Sequence, residues 1–547
     1  MGKNIEKIDI RRKFMSNTAK KFITGALILA AAGMLAKFLS IFFRIPLVWK
    51  IGDVGIGYYQ LAYPIYTLLI AISYVGLPSA ISKLVSEKMV NEDYYEANRI
   101  FKVSLAILSV IGLFTSALLF FGAEWIIAVR NWSPEVKYSL WGLAAAPFFV
   151  SIMGAFRGYF QGMQNMLPTG ISQVIESFVR VVVGIGLAYS LCGYSLGLAA
   201  GGATFGATAG AMAGSFVLWI MYLKYKRQMN EKIATQKEIS KKESVKEIGK
   251  KVFLIAIPVT IGSAVGSVIS LIDSMVIVSR LKSVGIDDIT ATAMFGQLTG
   301  KAMTLINVPL TLSMAVALSI LPAVSEAVAR CDKEDLYQKI NAAIRFSMIL
   351  GLPAAMGLCA LAYPIFDLFY PNHADGSVLL SILSIALIFI IVGQLFTAVL
   401  QGMGHFYRPI INLAAGALVK VVLNYILVGT SLLVNGAAIS SICAYATYAA
   451  LNYLYIKKKS QYKIKDYGII LKPLISSIVM AMSTMAIYYF ARDLTHSSKA
   501  GTLIAVIAGV CVYTIMIMLT RTLTEEELKG FPKGDIIIRV FKKLRLI

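Results

Sequence analysis

Charged residues are scarce in this sequence. Asp, Glu, Lys and Arg make up only 15% of the 547 residues, whereas 58% are hydrophobic, and the mean hydropathy is +0.73. Soluble globular domains carry about 25% charged residues, so this composition excludes a soluble domain of this length. The chain is therefore predicted to be a membrane protein that crosses the bilayer many times.

Histidine and cysteine are also rare, which argues against several kinds of enzyme. The histidines, His373, His405 and His496, lie apart, without the spacing of a catalytic triad or a metal site. The five cysteines occur singly and are interpreted as small core residues. A phosphate loop of the GxxxxGK[ST] kind is absent, so this chain is expected to contain no ATPase motor. A membrane-embedded glycosyl- or acyltransferase is disfavoured for the same reasons, and no cofactor is expected.

Long apolar runs dominate what is present. A helix that spans a bilayer needs about 20 largely apolar residues, and the first run is expected to be retained as a helix because it contains Lys37 and Arg44. The sequence predicts an all-α integral membrane fold with about fourteen spanning helices. They are placed at 22–49, 59–86, 99–122, 137–160, 168–192, 198–223, 251–279, 292–320, 341–362, 377–402, 409–430, 434–456, 469–491 and 500–520.

Acidic residues are outnumbered, 29 against 52 Lys and Arg, and the net charge is +23. With the predicted helices, the basic clusters all fall on one side of the membrane, and by the positive-inside rule both termini are expected in the cytoplasm. Contact with anionic lipid headgroups is favoured over nucleic acid as the reason for this charge. The clusters are Arg11–Lys13, Lys20–Lys21, Lys224–Lys251, Lys457–Lys459 with Lys463 and Lys465, and Lys529–Arg545.

A repeated phrase divides the chain into two halves. Gln161-Gly162-Met163 recurs as Gln401-Gly402-Met403, and an ungapped overlay of 161–183 on 401–423 also pairs Arg180 with Lys420. The copies are six predicted helices apart, an even number, which favours two parallel six-helix lobes as in alternating-access transporters. The predicted organisation is 1–223 (first lobe), 224–250 (cytoplasmic basic linker), 251–457 (second lobe), 469–520 (helices 13 and 14) and 521–547 (cytoplasmic basic tail).

Ionisable residues inside the predicted helices are the candidate substrate-binding residues. A charge at the bilayer centre costs about 2.5–3.5 kcal/mol on insertion scales, so each needs a partner, a watery cavity or a function. Most of those found are cations, which favours a polar cavity between the lobes. The candidate set is Lys37, Arg44, Arg157, Glu176, Arg180, Lys301 and Lys420, together with the uncharged Gln297, which shares a face of helix 8 with Lys301.

Several of these residues keep a second interpretation. Lys37 and Arg44 lie two turns apart on one face of helix 1 and either line the cavity or snorkel to the interface. Glu176 and Arg180 have i, i+4 spacing and pair either for structure or for function. Lys301 belongs to a polar stripe on helix 8 that faces either the cavity or its packing neighbours.

A cationic cavity favours an anionic substrate. Arginine suits bidentate contacts with phosphate, and lysine suits point-charge contacts. With the inside of the cell negative, outward movement of one negative charge is favourable by about 2.3 kcal/mol per 100 mV. The charge pattern therefore predicts export of an anion assisted by the membrane potential.

Several stretches carry a family resemblance: FRIPLVWKIGDVGIGYYQLAYP (43–64), GLPSAISKLVSE (76–87), RGYFQGMQNMLPTGISQVIESFVR (157–180) and LTGKAMTLINVPL (298–310). The chain resembles the polysaccharide-biosynthesis flippases of the multidrug/oligosaccharidyl-lipid/polysaccharide (MOP) superfamily. Within it, the chain is most similar to the lipid II flippases of the MurJ-like and YtgP kind and the stage V sporulation protein B group. The resemblance implies a bacterial cytoplasmic-membrane location, two six-helix lobes, two extra helices and a V-shaped cationic cavity.

The resemblance also implies roles for individual residues. The family's helix 1 arginine falls on Arg44, and its helix 8 arginine falls near Lys301, where lysine departs from the pattern. Helices 13 and 14 would form a groove for a polyprenyl tail. Some relatives have a sodium site in the second lobe, and Asp273 is the candidate acid for it here, with Na⁺ or H⁺ as the coupling cation.

The expected function is that of a transporter, not an enzyme. The substrate would be a polyprenyl-pyrophosphate-linked saccharide such as lipid II, with membrane lipids and cell-wall synthesis proteins as further partners and no nucleic acid. The alternatives are an exporter of another lipid-linked polysaccharide unit and a cation-coupled multidrug exporter. The drug exporter would need buried acids in the first lobe, where Glu176 is the one good candidate.

Overall fold

The computed structural model describes residues 2–236, 243–371, 373–462 and 466–522. Part of the predicted linker, Lys463, Lys465 and nearly all of the predicted tail lie outside these residues, as do the side chains of Arg11–Lys13 and Lys20–Lys21. The described residues form α-helices and two short π-helices, Ala71–Val75 and Gln297–Ala302, and contain no strand.

The α-helices are long and separated by short turns. In chain order they are α1 Gly2–Ile70, α2 Leu77–Val90, α3 Tyr94–Arg130, α4 Val136–Ala144, α5 Ala146–Gly162, α6 Leu167–Leu191, α7 Leu196–Ala234, α8 Val245–Ser283, α9 Asp288–Gly296, α10 Met303–Ala329, α11 Lys333–Ala360, α12 Ala362–Phe369, α13 Ser377–Gly402, α14 Tyr407–Leu427, α15 Val434–Ser460, α16 Gly468–Thr495 and α17 Ser498–Leu519.

Ten helical stretches among the described residues are long and apolar enough to cross a membrane. Eight comprise α3, α6, α7, α11, α13, α14, α16 and α17, and the other two are Leu27–Val90 and Val136–Gly162. The predicted all-α, multi-pass membrane fold is confirmed, whereas the count of fourteen spans stays a prediction. Some predicted helices are interrupted, as at Ala145 between α4 and α5.

The first long helix reverses direction at Gly52. Gly52 has φ 62° and ψ −168°, a conformation that is essentially restricted to glycine. In a straight helix Arg44 and Tyr59 would lie about 22 Å apart, yet the Arg44 guanidinium carbon is 5.1 Å from the Tyr59 ring centre. The two halves of α1 therefore fold back on each other at this glycine.

The helices group into two compact units, Met1–Met275 (unit 1) and Val276–Ile547 (unit 2), with the boundary inside α8. The predicted lobe and linker boundaries stay predictions. In unit 1, Phe101 of α3 stacks on Tyr159 of α5 at 4.4 Å and tilts against Tyr222 of α7 at 5.0 Å. Within a bilayer such contacts stabilise the unit through close packing.

Glycines bring α6 and α7 of unit 1 into direct backbone contact. A Cβ added at Gly206 would lie 2.6 Å from the carbonyl oxygen of Arg180, and one at Gly210 would lie 2.5 Å from that of Glu176. Small residues at this spacing are typical of close helix pairs in membranes. We call this contact the glycine seam, and it holds the backbone of two candidate site residues.

Unit 2 has a core formed by α10, α11 and α13, to which α15 and α16 also contribute. The predicted helices 13 and 14 correspond to α16 and α17, which pack together where Gly509 meets Thr484. Tyr462 contributes its buried ring, and its hydroxyl donates a hydrogen bond of 2.5 Å to Asn341.

The two copies of Gln-Gly-Met end their helices in the same way. After α5 the residue with positive φ is Gln164 (56°), and after α13 it is Gly404 (83°). In each turn the next amide donates back into the helix, from Asn165 to Phe160 at 2.9 Å and from His405 to Leu400 at 2.8 Å. The repeat is therefore matched by the same helix-ending turn in both units.

Candidate functional site

Charged side chains from α5 and α6 meet inside unit 1. Glu176 accepts a hydrogen bond on Oε2 from Arg157 Nη2 at 3.0 Å and on Oε1 from Arg180 Nη2 at 2.8 Å. The side chains are 10%, 14% and 22% exposed for Arg157, Glu176 and Arg180, respectively. The i, i+4 pair predicted on helix 5 is therefore part of a larger ionic network.

Arg157 is held by three different groups. Its Nε donates to Ser172 Oγ at 3.1 Å, its Nη1 to the Tyr74 hydroxyl at 3.3 Å and its Nη2 to Glu176. Tyr74 lies in the π-helix that follows α1, and its ring packs where Gly154 leaves room. Arg157 thus connects the π-helix, α5 and α6.

Arg180 points toward a row of tyrosines on the second half of α1. Its guanidinium lies close to Tyr59, Tyr63 and Tyr66. The rings of Tyr59 and Tyr63 stack at 5.3 Å, and those of Tyr63 and Tyr66 tilt against each other at 5.5 Å. The Nε of Arg180 is buried and has no hydrogen-bond partner among the described residues.

Arg44 approaches the same tyrosines from the first half of α1. Its guanidinium lies over the Tyr59 ring, and Tyr59 lies close to both Arg44 and Arg180. The Nη1 of Arg44 is buried and has no hydrogen-bond partner among the described residues. Lys37, two turns earlier, is exposed.

Together these side chains form what we call the unit 1 cation cluster: Arg44, Arg157, Arg180, Glu176, Tyr59, Tyr63 and Tyr66. It contains three guanidinium groups and one carboxylate, so it carries a net positive charge. Two of the guanidinium groups keep a buried nitrogen unpaired, which is costly in a medium of low polarity unless an acceptor arrives. The arrangement suits binding of an anion.

Lys301 lies in unit 2 and is fully buried. Its ammonium donates to the carbonyl oxygen of His373 at 2.7 Å and lies 5.6 Å and 5.8 Å from the ring centres of Phe366 and Tyr370. Carbonyl and aromatic contacts are those of a packed side chain, and they stabilise a buried ammonium through a hydrogen bond and cation–π attraction.

The other unit 2 candidates are also largely covered. Gln297 begins the second π-helix and packs against Gly376, where an added Cβ would lie 2.8 Å from the glutamine Cβ. Lys420 is 3% exposed on α14, one turn before the buried Asn424. Asn424 in turn accepts a hydrogen bond from Ser440 on α15. Gln297, Lys301 and Lys420 thus belong to unit 2, whereas the cation cluster belongs to unit 1.

Asp273, the candidate acid for sodium, is half-buried on α8. Among the residues that the structure describes, no three His, Cys, Asp or Glu side chains are grouped as a metal site would require. A role for Asp273 in ion coupling stays a prediction.

Sequence profiles identify the family. The profile described as polysaccharide biosynthesis protein matches residues 22–328, more than half of the chain. The chain belongs to the polysaccharide biosynthesis protein family. A second profile, MatE, matches residues 258–426. The predicted resemblance to polysaccharide-biosynthesis proteins is therefore confirmed.

This family member has curated relatives in Bacillus subtilis (strain 168). It is 29% identical to the uncharacterized membrane protein YabM over 95% of this chain and 96% of the relative. It is 27% identical to stage V sporulation protein B over 95% of this chain and 99% of the relative. It is 26% identical to lipid II flippase MurJ over 85% of this chain and 87% of the relative.

Solved structures show the fold of this family member. Lipid II flippase MurJ in an inward closed conformation matches with a TM-score of 0.66 at 18% identity, covering 90% of this chain and 98% of that chain. An inward-facing multidrug resistance MATE family transporter of the MOP superfamily matches with a TM-score of 0.65 at 17% identity, covering 80% of this chain and 98% of that chain. The family member therefore has the MOP fold, as predicted.

Some residues of the cluster escaped the sequence interpretation. Tyr59, Tyr63 and Tyr66 recur at helical spacing after Arg44, which is a detectable signal for one aromatic face. The reversal at Gly52 that brings this face to Arg44 has no such signal. Tyr74 was missed because its contact with Arg157 depends on how α5 packs.

Proposed function

We propose that this family member moves a polyprenyl-pyrophosphate-linked saccharide, with lipid II as the preferred cargo, from the cytoplasmic to the outer leaflet of a bacterial membrane. The observation that carries the proposal is that Arg44 and Arg180 each keep a buried guanidinium nitrogen without a partner in one cluster. A phosphate oxygen is the acceptor that such donors favour.

The relatives support the choice of cargo. One protein that is similar over most of its length is a lipid II flippase. The family profile concerns polysaccharide biosynthesis, and lipid-linked saccharides in such synthesis carry phosphate or pyrophosphate. A cationic site and a family of this kind point to the same substrate class.

In the proposed mechanism, Arg44 and Arg180 bind the phosphate groups while Tyr59 and Tyr63 provide a rigid aromatic wall. Access alternates between the two leaflets. Outward movement of each negative charge is favoured by about 2.3 kcal/mol per 100 mV when the inside is negative. A coupling cation, Na⁺ or H⁺, would act in addition, with Asp273 as the candidate site. Both termini would lie in the cytoplasm.

The alternative of a cation-coupled multidrug exporter has less support. Such an exporter would use a carboxylate that binds and releases a cation. Both oxygens of Glu176, the acid of the cluster, are already engaged by arginines at 3.0 Å and 2.8 Å.

The test uses a bacterial strain depleted of its own lipid II flippase. The unsubstituted chain is expected to restore growth and to prevent accumulation of lipid-linked precursor in the cytoplasmic leaflet, whereas R44A and R180A should insert normally and fail. K50A is the matched control, because Lys50 is an exposed cation of α1 that lies over Tyr189 at 5.3 Å, outside the cluster. Growth with both arginine variants would refute the site, and precursor accumulation with the unsubstituted chain would refute the cargo.

A further inference from the structure

Arg157 differs from the other two arginines of the unit 1 cation cluster. Each of its three nitrogens already donates a hydrogen bond within the protein, at 3.0 to 3.3 Å, and the residue is only 8% exposed. Arg44 and Arg180, in contrast, each keep an unpaired buried nitrogen. Arg157 is thus held in one orientation by groups on both α6 and the π-helix.

Resting on the proposed function, we infer that Arg157 is a positioning residue that does not touch the anion. It occupies one oxygen of Glu176 and so keeps that carboxylate from neutralising Arg180. A carboxylate facing a single arginine tends to form two parallel hydrogen bonds with it. With Arg157 on Oε2, Glu176 holds Arg180 through Oε1 alone, and the Nε of Arg180 keeps donor capacity for a phosphate.

The charges of the network agree with this role. Arg157 and Glu176 balance each other, which leaves the charge of Arg180 in excess. Removal of Arg157 would leave one carboxylate and one arginine, a pair without net charge. The anion would then have to compete with Glu176 for Arg180.

In unit 2, the residues aligned with Arg157 and Glu176 are not charged. In the repeat, Thr397 stands opposite Arg157 and Gly416 opposite Glu176. There Tyr448 fills the space, with its ring against Gly393 and its hydroxyl hydrogen-bonded to Thr397. In unit 2, helices of the same kind therefore pack around a neutral aromatic contact instead of an ionic one.

The experiment is a double-mutant cycle on the full-length protein in detergent, with inorganic pyrophosphate as the probe. Affinity is measured by ligand-dependent thermal shift for the parent, R157Q, E176Q and the double variant. R157Q should weaken pyrophosphate binding about tenfold in the parent and about threefold or less in the E176Q background, since contacting residues couple. R157K should recover most of the affinity, because an ammonium can still pair with Glu176. K50Q controls for the loss of one positive charge in unit 1.

Two results would overturn the inference. Equal fold-losses for R157Q in both backgrounds would mean that Arg157 contacts the anion directly. A lowered ligand-free melting temperature with unchanged affinity would mean that Arg157 only supports the fold.

The proposed function is tested separately, by transport of a lipid-linked saccharide in proteoliposomes. If the parent does not transport but the effects of R157Q and E176Q on pyrophosphate affinity are coupled, the proposed function is refuted and the positioning role of Arg157 stands. If the parent transports but the two effects are independent, the positioning role is refuted and the proposed function stands.

Discussion

Lys301 donates a hydrogen bond of 2.7 Å to the carbonyl oxygen of His373, which precedes α13. The contact joins the second π-helix to a turn far along the chain. The ammonium also lies near the rings of Phe366 and Tyr370. One buried cation thus connects three segments of unit 2.

Substitution K301M should therefore destabilise the protein. The substitution removes the ammonium, so the His373 carbonyl loses its hydrogen bond from Lys301, which costs about 1–3 kcal/mol of unfolding free energy. Thermal unfolding in detergent measures the change. K499M, at an exposed lysine near the start of α17, is the control and should melt like the parent. Equal melting temperatures for K301M and the parent would contradict the packing role.

Substitution G52A should disturb the reversal of α1. The φ of 62° and ψ of −168° at Gly52 place it in a region that costs other residues about 1–3 kcal/mol. We expect a lower melting temperature together with weaker pyrophosphate binding, because Arg44 would leave Tyr59. G193A is the matched control, since an added Cβ there meets nothing within 4 Å. A G52A protein that melts and binds like the parent would show that the reversal does not depend on this glycine.

Glu243, just before α8, should make stability depend on pH. The hydrogen bond from Lys251 at 2.8 Å, together with Lys88, lowers the pKa of Glu243 below its ordinary value of 4.5. A carboxyl with a lowered pKa stabilises the folded state above that ordinary value and loses the contribution as the pH falls through the lowered pKa. The melting temperature of E243Q should thus fall below that of the parent at pH 7, and the difference should shrink below pH 4.5.

E231Q is the control for this measurement, because Glu231 pairs with Arg227 in a largely exposed position on α7. Surface pairs of that kind contribute little to stability, so E231Q should have the melting temperature of the parent at every pH. A difference for E243Q that persists unchanged into acid would contradict the role of its charge.

Much of the fold could be predicted because its determinants are local in the sequence. Apolar runs of sufficient length indicate spanning helices, and the repeated Gln-Gly-Met indicates equivalent helix ends, which the turns at Gln164 and Gly404 match. The π-helices had no such signal, since an extra residue in a helical turn leaves the apolar pattern almost unchanged. Predicted helices 2 and 8 therefore miss Ala71–Val75 and Gln297–Ala302.

The candidate site could be predicted only in part. Arg44, Arg157, Glu176 and Arg180 were found because charges inside apolar runs are conspicuous. Their division of roles depends on tertiary contacts, such as that of Arg157 with Tyr74. Sequence spacing links residues on one helix, and it does not say which neighbouring helix they meet.

At the glycine seam, α6 and α7 touch through backbone atoms, so the charge of the cation cluster depends on charged side-chain groups that take no part in this contact. The carbonyl groups of Glu176 and Arg180 rest against Gly210 and Gly206, and these contacts involve no charged atom. An exchange of either side chain for one of another charge therefore keeps these backbone contacts of α6 with α7. The charge of the cation cluster can thus change without rebuilding the backbone that holds it.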